Sequence, residues 1–361
     1  FKRFLVYSIA PCLYNFGIIL GVIVFAPWLG IKGVSWGVVL GAFLHMIIQA
    51  PSVFRLGFRY KPILSLKEKG IRTIAKLMVP RTIGLAAQQI NLWVITIIAS
   101  MLTVGSVAVF NLANNLQYFP IGIFGVAFAT AAFPHLSLAA SRNNIKEFKI
   151  RFSQTFRQIL FFIVPVSGAM LLLRAQIVRL ILGTGKFDWE DTVLTYKCLG
   201  YFCLGIFALG LVPLLAKAFY SLKDTRTPVV ISLLTMGVNV GLSIWLSRVL
   251  EVAGLALAFA LAGILNLLLL FLILRKRMGD LEDQKTLSTT LKIIGATVVM
   301  GLAIQGGKYL IAPLVNMETG VGVLVQTLGA ALLGGVVYLG LGFLLKVDEV
   351  KIVKKFLPWR R

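Results

Sequence analysis

The chain has 361 residues, 58% of them apolar and only 14% charged, with a mean hydropathy of +0.91. A soluble domain carries about 25% charged residues, so a water-soluble globular fold is excluded. The formal net charge of +23 raises nucleic acid as a partner, a question that the placement of the charges answers below.

Apolar runs recur along the whole chain, each of the roughly 20 residues needed to cross about 30 Å of hydrocarbon. They predict an all-α polytopic membrane protein of about ten spans: 4–27, 34–54, 77–100, 105–134, 154–173, 193–216, 228–247, 252–274, 289–312 and 321–345. Phe1-Lys2-Arg3 leads straight into span 1. Span 2 carries His45, Gln49 and Ser52, with His45 read as a packing residue.

Span 3 contains "PRTIGLAAQQIN", which puts Arg81, Gly84, Gln88 and Asn91 on one helical face. Arg81 has two readings. It snorkels to the interface, or it faces a cavity and holds a phosphate with its planar fork. Span 4 places Asn111, Asn114, Asn115 and Tyr118 together, followed by Pro120, which frees a backbone carbonyl, and by Gly122 and Gly125, which allow bending. These three are the candidate hinge. "LLLRAQIVRLILGTGKFDWEDT" reads as too polar to span. It predicts a short interfacial helix flanked by Arg174 and Arg179, a turn at Gly183 and Gly185, and Asp188 as the N-cap of span 6. Between spans 6 and 7 stands the polar stretch "FYSLKDTRTP". Span 7 then lines up Thr235, Asn239 and Ser243. The polar faces of spans 3, 4 and 7 predict either a hydrated cavity or hydrogen bonds between helices.

Alternating the spans across the membrane puts twenty-eight of the 36 lysines and arginines on one side, six on the other, and two, Arg81 and Lys197, within spans. Positive charge stays in the cytoplasm, so the basic side and both ends of the chain are predicted to be cytoplasmic. The basic loops then meet anionic phospholipids rather than nucleic acid.

An internal repeat is present. "LGIKGVSWGVVLGAFLHMIIQAPSVFR" (29–55) matches "LEVAGLALAFALAGILNLLLLFLILR" (250–275), with Gly33 against Gly254, Leu40 against Leu261 and Leu44 against Leu265. The helix before each carries an asparagine, Asn15 or Asn239. Spans 1–2 therefore correspond to spans 7–8, a parallel repeat with a six-span offset. The predicted organisation is 1–56, the last two helices of a first lobe; 57–76, a basic linker; 77–276, a six-helix lobe; 277–346, two additional helices; and 347–361, a basic tail. About four spans are expected before Phe1.

None of the 13 acids falls inside a predicted span, so a proton relay on a buried carboxylate is not expected there. Cys12, Cys198 and Cys203 lack a metal spacing and read as small core residues. Two histidines without paired acids argue against an integral membrane transferase, so neither catalytic nor metal residues are assigned.

"FYSLKDTRTP" resembles the aromatic–Tyr–small–x–x–Asp–Thr–x–Thr–Pro loop of the MurJ (MviN) lipid II flippases, members of the multidrug/oligosaccharidyl-lipid/polysaccharide exporter superfamily. "LQYFPIGIFGVAFATAAFPHLS" and "LILGTGKF" are similar to two further motifs of that family. The resemblance implies fourteen helices, of which this chain starts at the fifth. It implies a monomeric flippase of the bacterial plasma membrane that carries lipid II by alternating access, with cell-wall synthesis proteins as possible partners. In the loop motif it assigns Lys217, Tyr220, Asp224, Thr225, Thr227 and Pro228, with Asp224 and Thr225 tying the loop to neighbouring helix ends. The cavity residues are Arg81, Gln88, Asn91, Asn111, Asn114, Asn115, Asn239 and Ser243. No cofactor is implied. Sodium stays open as a coupling ion, although carboxylates used by some members correspond here to Ile95 and to a position near Ser243. The alternatives are a sister exporter of another lipid-linked oligosaccharide, a multidrug/cation antiporter, or a scaffold without transport.

Overall fold

The computed structural model describes residues 4–55, 89–183 and 189–352, with side chains from residue 9 onward. It divides into two compact units, Phe1–Met78 and Val79–Arg361. The described secondary structure is helical throughout.

In the first unit, Phe4–Leu20 continues through a π-helical turn, Gly21–Phe25, into Ala26–Leu29 to make span 1, and Ile31–Phe54 is span 2. Lipid gives helices no hydrophobic reason to associate, so close backbone packing through small residues takes over. A Cβ on Gly17 would lie 2.4 Å from Gly41 Cα, and one on Gly21 would lie 2.3 Å from Gly37 Cα. Gln49 Nε2 lies 3.3 Å from His45 Nδ1 one turn back, which satisfies His45 within its own helix.

In the second unit, the longest helix runs Arg226–Met278, 53 residues. At 1.5 Å per residue that is about 80 Å, more than twice the hydrocarbon thickness. Glu251, at φ 51 and ψ −134, breaks it into spans 7 and 8. The turn between spans 1 and 2 is made the same way by Gly30, at φ 58 and ψ −138. The two residues share the offset that pairs Gly33 with Gly254. Those glycines also do the same job: their Cβ atoms would lie 2.3 Å from the Phe25 carbonyl carbon and 2.4 Å from the Leu246 carbonyl oxygen, at matching positions. The repeat therefore extends from sequence to turn geometry.

Glu251 holds a conformation that is costly for any residue with a side chain, about 1–3 kcal/mol. Glu251→Gly is expected to raise the thermal unfolding temperature in detergent. A lower temperature would show that the exposed Glu251 side chain supports the turn in some other way.

Among the described residues, seven helices are long and apolar enough to cross a membrane, and the bent pair Trp189–Cys203 and Ile206–Ser221 makes an eighth crossing. The break at Glu251 divides one of the seven, and the apolar helix Gln89–Ser100 is the described part of span 3. The ten expected segments are thus accounted for.

Two expectations need correction. Span 5 is a single helix, Ile145–Leu182, not a span at 154–173 followed by a separate interfacial helix. The two arginines lower the mean hydropathy of 171–182, but a helix needs only one apolar face, and Leu173 and Val178 carry that face on into the core. Span 6 is not a straight helix over 193–216. Its halves meet at 48°, where Ser167 Oγ donates to the Cys203 carbonyl at 2.5 Å and Gly205 closes on Ala260. Asp188 lies outside the described residues; Glu190 and Asp191 stand in the first turn of this helix.

Span 5 packs against spans 4, 6, 9 and 10 and so occupies the middle of this unit. Span 10 (Gly320–Leu344) packs on span 9 (Asp283–Ile311) through a buried stripe at every fourth position, Gly322, Gln326, Ala330, Gly334 and Tyr338. Gln326 Nε2 donates to the Lys308 carbonyl at 3.0 Å, Gly334 meets Ile304, and Tyr338 reaches span 5 by donating to the Phe161 carbonyl at 2.7 Å. Val321, Leu328, Leu332 and Val336 face outward, as lipid contact requires.

Candidate transport site

Arg81 and Gln88 lie outside the described residues. Asn91, one turn further along span 3, accepts a hydrogen bond through Oδ1 from Asn239 Nδ2 at 3.1 Å and joins span 3 to span 7. Asn239 and Ser243 are 2% and 0% exposed. They are buried inside the lobe rather than open to water. Asn239 Oδ1 and Ser243 Oγ have no hydrogen-bond partner. In span 4, Asn111 and Asn115 are exposed. Asn114 turns inward and accepts through Oδ1 from the buried Gln117 Nε2 at 2.8 Å. One polar row of span 4 is thus open and another is hydrogen-bonded along the helix, with the buried Gln117 Oε1 left without a partner.

The donor set does not fit a carboxylate-based sodium site. Asn239 Oδ1 and Ser243 Oγ are neutral oxygens, and Ile95, one turn after Asn91, is itself buried. No group of three or more His, Cys, Asp or Glu that could hold a metal ion occurs among the described residues.

The candidate hinge residues of span 4 divide into two kinds. Directly after Pro120 the helix widens into a π-helical segment, Ile121–Val126, as the missing proline N–H would favour. A Cβ on Gly122 would meet nothing within 4 Å, whereas one on Gly125 would lie 2.6 Å from the Gly210 carbonyl oxygen. Gly122 leaves the segment free on one side and Gly125 pins it to span 6 on the other. Nearby, Lys217 Nζ donates to Thr130 Oγ1 at 2.6 Å and lies 6.0 Å from the Phe133 ring centre.

"FYSLKDTRTP" is a helix-capping clamp. The chain leaves span 6 through Lys223 at φ 61. Asp224 Oδ1 then accepts from the backbone N–H groups of Arg226 and Thr227, both at 3.0 Å, and caps span 7. Asp224 Oδ2 accepts from Thr227 Oγ1 at 2.6 Å and from Arg277 Nη1, which arrives from the end of span 8. Arg277 Nη2 reaches Thr227 Oγ1 at 3.1 Å, and the guanidinium lies 5.6 Å from the Phe219 ring centre. One carboxylate thereby joins the ends of spans 6, 7 and 8. Thr225 is exposed and does not tie the loop as expected; Thr227 does. Tyr220 is exposed, and Pro228 is buried in the first turn of span 7, where its missing N–H has no cost.

Partial burial alone would raise the Asp224 carboxyl. The Thr227 hydroxyl and backbone N–H, together with the Arg277 hydrogen bond and charge, outweigh it and bring the carboxyl to about 2. Its folded value is lowered, so its contribution to stability is full above the ordinary carboxylate value of about 4 and is lost as pH falls through about 2. Asp224→Asn is expected to lower stability at pH 7 by about 1 kcal/mol, from a weakened cap and the lost ion pair. The difference between wild type and Asp224→Asn should shrink steeply between about pH 4 and pH 2 in a thermal unfolding series. A constant difference from pH 7 to pH 2 would show that the charge is not what matters.

Sequence reasoning missed the most deeply buried ion pair among the described residues. Arg157 and Glu349 are each 4% exposed, and Arg157 Nε donates to Glu349 Oε1 at 2.9 Å. Arg157 Nη1 also reaches Glu282 Oε2 at 3.2 Å and the Ser153 hydroxyl, which itself lies 3.0 Å from Thr286 Oγ1. Span 5 is thus tied to the start of span 9 and to the residues after span 10. No local pattern joins positions so far apart in the chain.

The family model of the lipid II flippase MurJ matches residues 1–324. A "Probable lipid II flippase MurJ" of Buchnera aphidicola subsp. Schizaphis graminum is 30% identical over 75% of this chain and 53% of its own length. The "Lipid II flippase MurJ" of Burkholderia cenocepacia is 28% identical over 83% and 59%. The chain thus spans between about half and two thirds of the curated relatives it matches. Among solved structures, "Lipid II flippase MurJ, inward closed conformation" shares the fold, with a TM-score of 0.76 at 24% identity over 94% of this chain and 67% of that one. With its family model matched over residues 1–324, the chain belongs to the lipid II flippase MurJ family of multi-pass membrane transporters.

Proposed function

We propose that this protein moves lipid II, an undecaprenyl-pyrophosphate-linked peptidoglycan precursor, from the inner to the outer leaflet of the bacterial plasma membrane by alternating access. The family match over residues 1–324 carries this reading. The lipid II headgroup is large and polar and cannot cross hydrocarbon without polar partners. The exposed amides of Asn111 and Asn115 are neutral donors and acceptors suited to sugar hydroxyls and peptide amides. The pyrophosphate meets Arg81 of span 3 and Lys217 near the end of span 6, while the polyprenyl tail stays in the bilayer beside spans 9 and 10. Both ends of the chain face the cytoplasm. Bending of span 4 at Gly122, with Gly125 held on span 6, supplies the local give that rocking of one bundle against another needs. The protein forms and breaks no covalent bond, and no step is assigned to sodium.

Arg81→Ala is expected to weaken lipid II affinity and transport at unchanged membrane abundance. Arg81→Lys should recover only part, because an ammonium lacks the bidentate fork. Full activity of Arg81→Ala would make the residue an interfacial anchor. The reading as a whole is tested by complementation. Cells depleted of their own lipid II flippase should regain growth and shape when this protein is expressed at its full length and not when residues 1–361 alone are expressed. Continued lysis with the full-length protein at normal membrane abundance counts against the reading.

A further inference from the structure

We propose that the ends of spans 5 and 9 remote from Arg157 hold an anionic glycerophospholipid of the bilayer, its phosphate between Arg174 and Lys308 and one acyl chain in the groove beside them. The groove measures about 390 Å³ and is lined by Gly168, Leu171 and Leu172 of span 5 and by Thr297, Gly301 and Leu302 of span 9, among others. It exists because small residues let the two helices approach. A Cβ on Gly168 would lie 3.0 Å from Thr297 Cγ2, and one on Gly301 would lie 3.1 Å from Leu172 Cδ1. Val298 and Leu302 on its rim are 60% and 69% exposed, so it opens on the lipid-facing surface.

Two cations close one end. Arg174 Nη1 donates to the Leu171 carbonyl at 2.6 Å, and Lys308 Nζ donates to the Leu172 carbonyl at 3.3 Å. Both carbonyls belong to residues that line the groove, so the charged groups are set side by side at its mouth. Arg174 is also held 5.8 Å from the Tyr196 ring centre. Neither cation forms an ion pair among the described residues, and each keeps donors beyond the one used on a carbonyl. Arg157 and Arg174 are roughly 25 Å apart along the helix, close to the hydrocarbon thickness, which puts Arg174 at a headgroup level. Two cations at that depth, without an ion-pair partner among the described residues, call for an anion. A phosphate carrying an apolar chain satisfies the cations and the groove together. The occupant is a bilayer phospholipid rather than the transported lipid, because none of Asn91, Asn111, Asn115 and Asn239 lies on span 5 or span 9. The inference stands apart from the transport reading and survives its failure.

The test is native mass spectrometry of the protein in detergent, titrated with phosphatidylglycerol, with phosphatidylcholine of the same chain length, and with glycerol phosphate. One phosphatidylglycerol should bind in preference to phosphatidylcholine, and glycerol phosphate should not replace it. Each cation near a membrane surface is worth roughly fivefold in affinity, so Arg174→Gln with Lys308→Gln should lose more than tenfold. Lys197→Gln, an exposed cation on the same side, should change nothing. The charge-preserving exchange Arg174→Lys with Lys308→Arg should keep most of the binding and separates loss of charge from loss of fold. Equal binding of the two phospholipids by wild type overturns the proposal. So does unchanged binding in the double glutamine variant, or displacement of phosphatidylglycerol by an equimolar amount of lipid II.

Discussion

Replacing Arg157 with methionine is expected to lower the stability of the second unit by about 3–5 kcal/mol, the usual consequence of removing one partner from a buried ion pair. The stranded partner is Glu349. It is 4% exposed, accepts from Arg157 Nε at 2.9 Å, and its other oxygen, Oε2, has no partner. Without the guanidinium that carboxylate must be neutralised, or the residues after span 10 must leave their place on span 5. Glu282 suffers less, because it is about a third exposed and water can take over. The double variant Arg157→Met with Glu349→Leu removes both charges and should recover most of the loss, since an apolar replacement of a whole buried pair is often neutral. Thermal unfolding in detergent of wild type, both single variants and the double variant forms the cycle. If the single variants are as stable as wild type, the pair is not buried in the membrane-embedded protein and the docking of spans 9 and 10 rests on packing alone.

The second large effect is expected at Gly125. Alanine there would place its Cβ 2.6 Å from the Gly210 carbonyl oxygen and 2.7 Å from Gly210 Cα. Both atoms are backbone and cannot swing aside, so spans 4 and 6 must separate. Overpacking of this kind costs about 1–3 kcal/mol, and the shift falls where span 4 is π-helical. Gly122→Ala is the matched control. Its Cβ meets nothing, and alanine is favoured over glycine in a helix by roughly 0.5–1 kcal/mol, so stability should hold or rise. Folded protein recovered from membranes and the unfolding temperature should both fall for Gly125→Ala and not for Gly122→Ala. The hinge reading adds that Gly122→Ala, although stable, transports more slowly. Equal behaviour of the two variants would contradict the asymmetric packing of this segment.

What the sequence made legible follows from what periodicity and composition report. Apolar runs located the spans, and the Gly33–Gly254 repeat anticipated the shared turn at Gly30 and Glu251. The span 6–7 loop was recognisable through its resemblance to a family motif, which singled out Asp224 and Pro228 but assigned the tie to Thr225 where Thr227 makes it. Mean hydropathy misled at 171–182, where Arg174 and Arg179 hide a helix whose other face stays apolar. It also gave no hint of the bend in span 6, which depends on Ser167 reaching Cys203 from a neighbouring helix. The polar row of span 7 could not be sorted from sequence into cavity lining or buried contact. That depends on Asn91 meeting Asn239, and on neighbours distant in the chain. The same holds for Arg277 on Asp224 and for Glu349 on Arg157.

Translocation itself gives the most direct test. The purified protein is reconstituted into proteoliposomes with lipid II on one leaflet, and the fraction that becomes accessible on the other is followed against empty vesicles and against a different lipid-linked oligosaccharide. The account predicts protein-dependent movement of lipid II that exceeds movement of the other carrier lipid. Movement no faster than in empty vesicles, or an equal rate for the unrelated lipid-linked sugar, would contradict it.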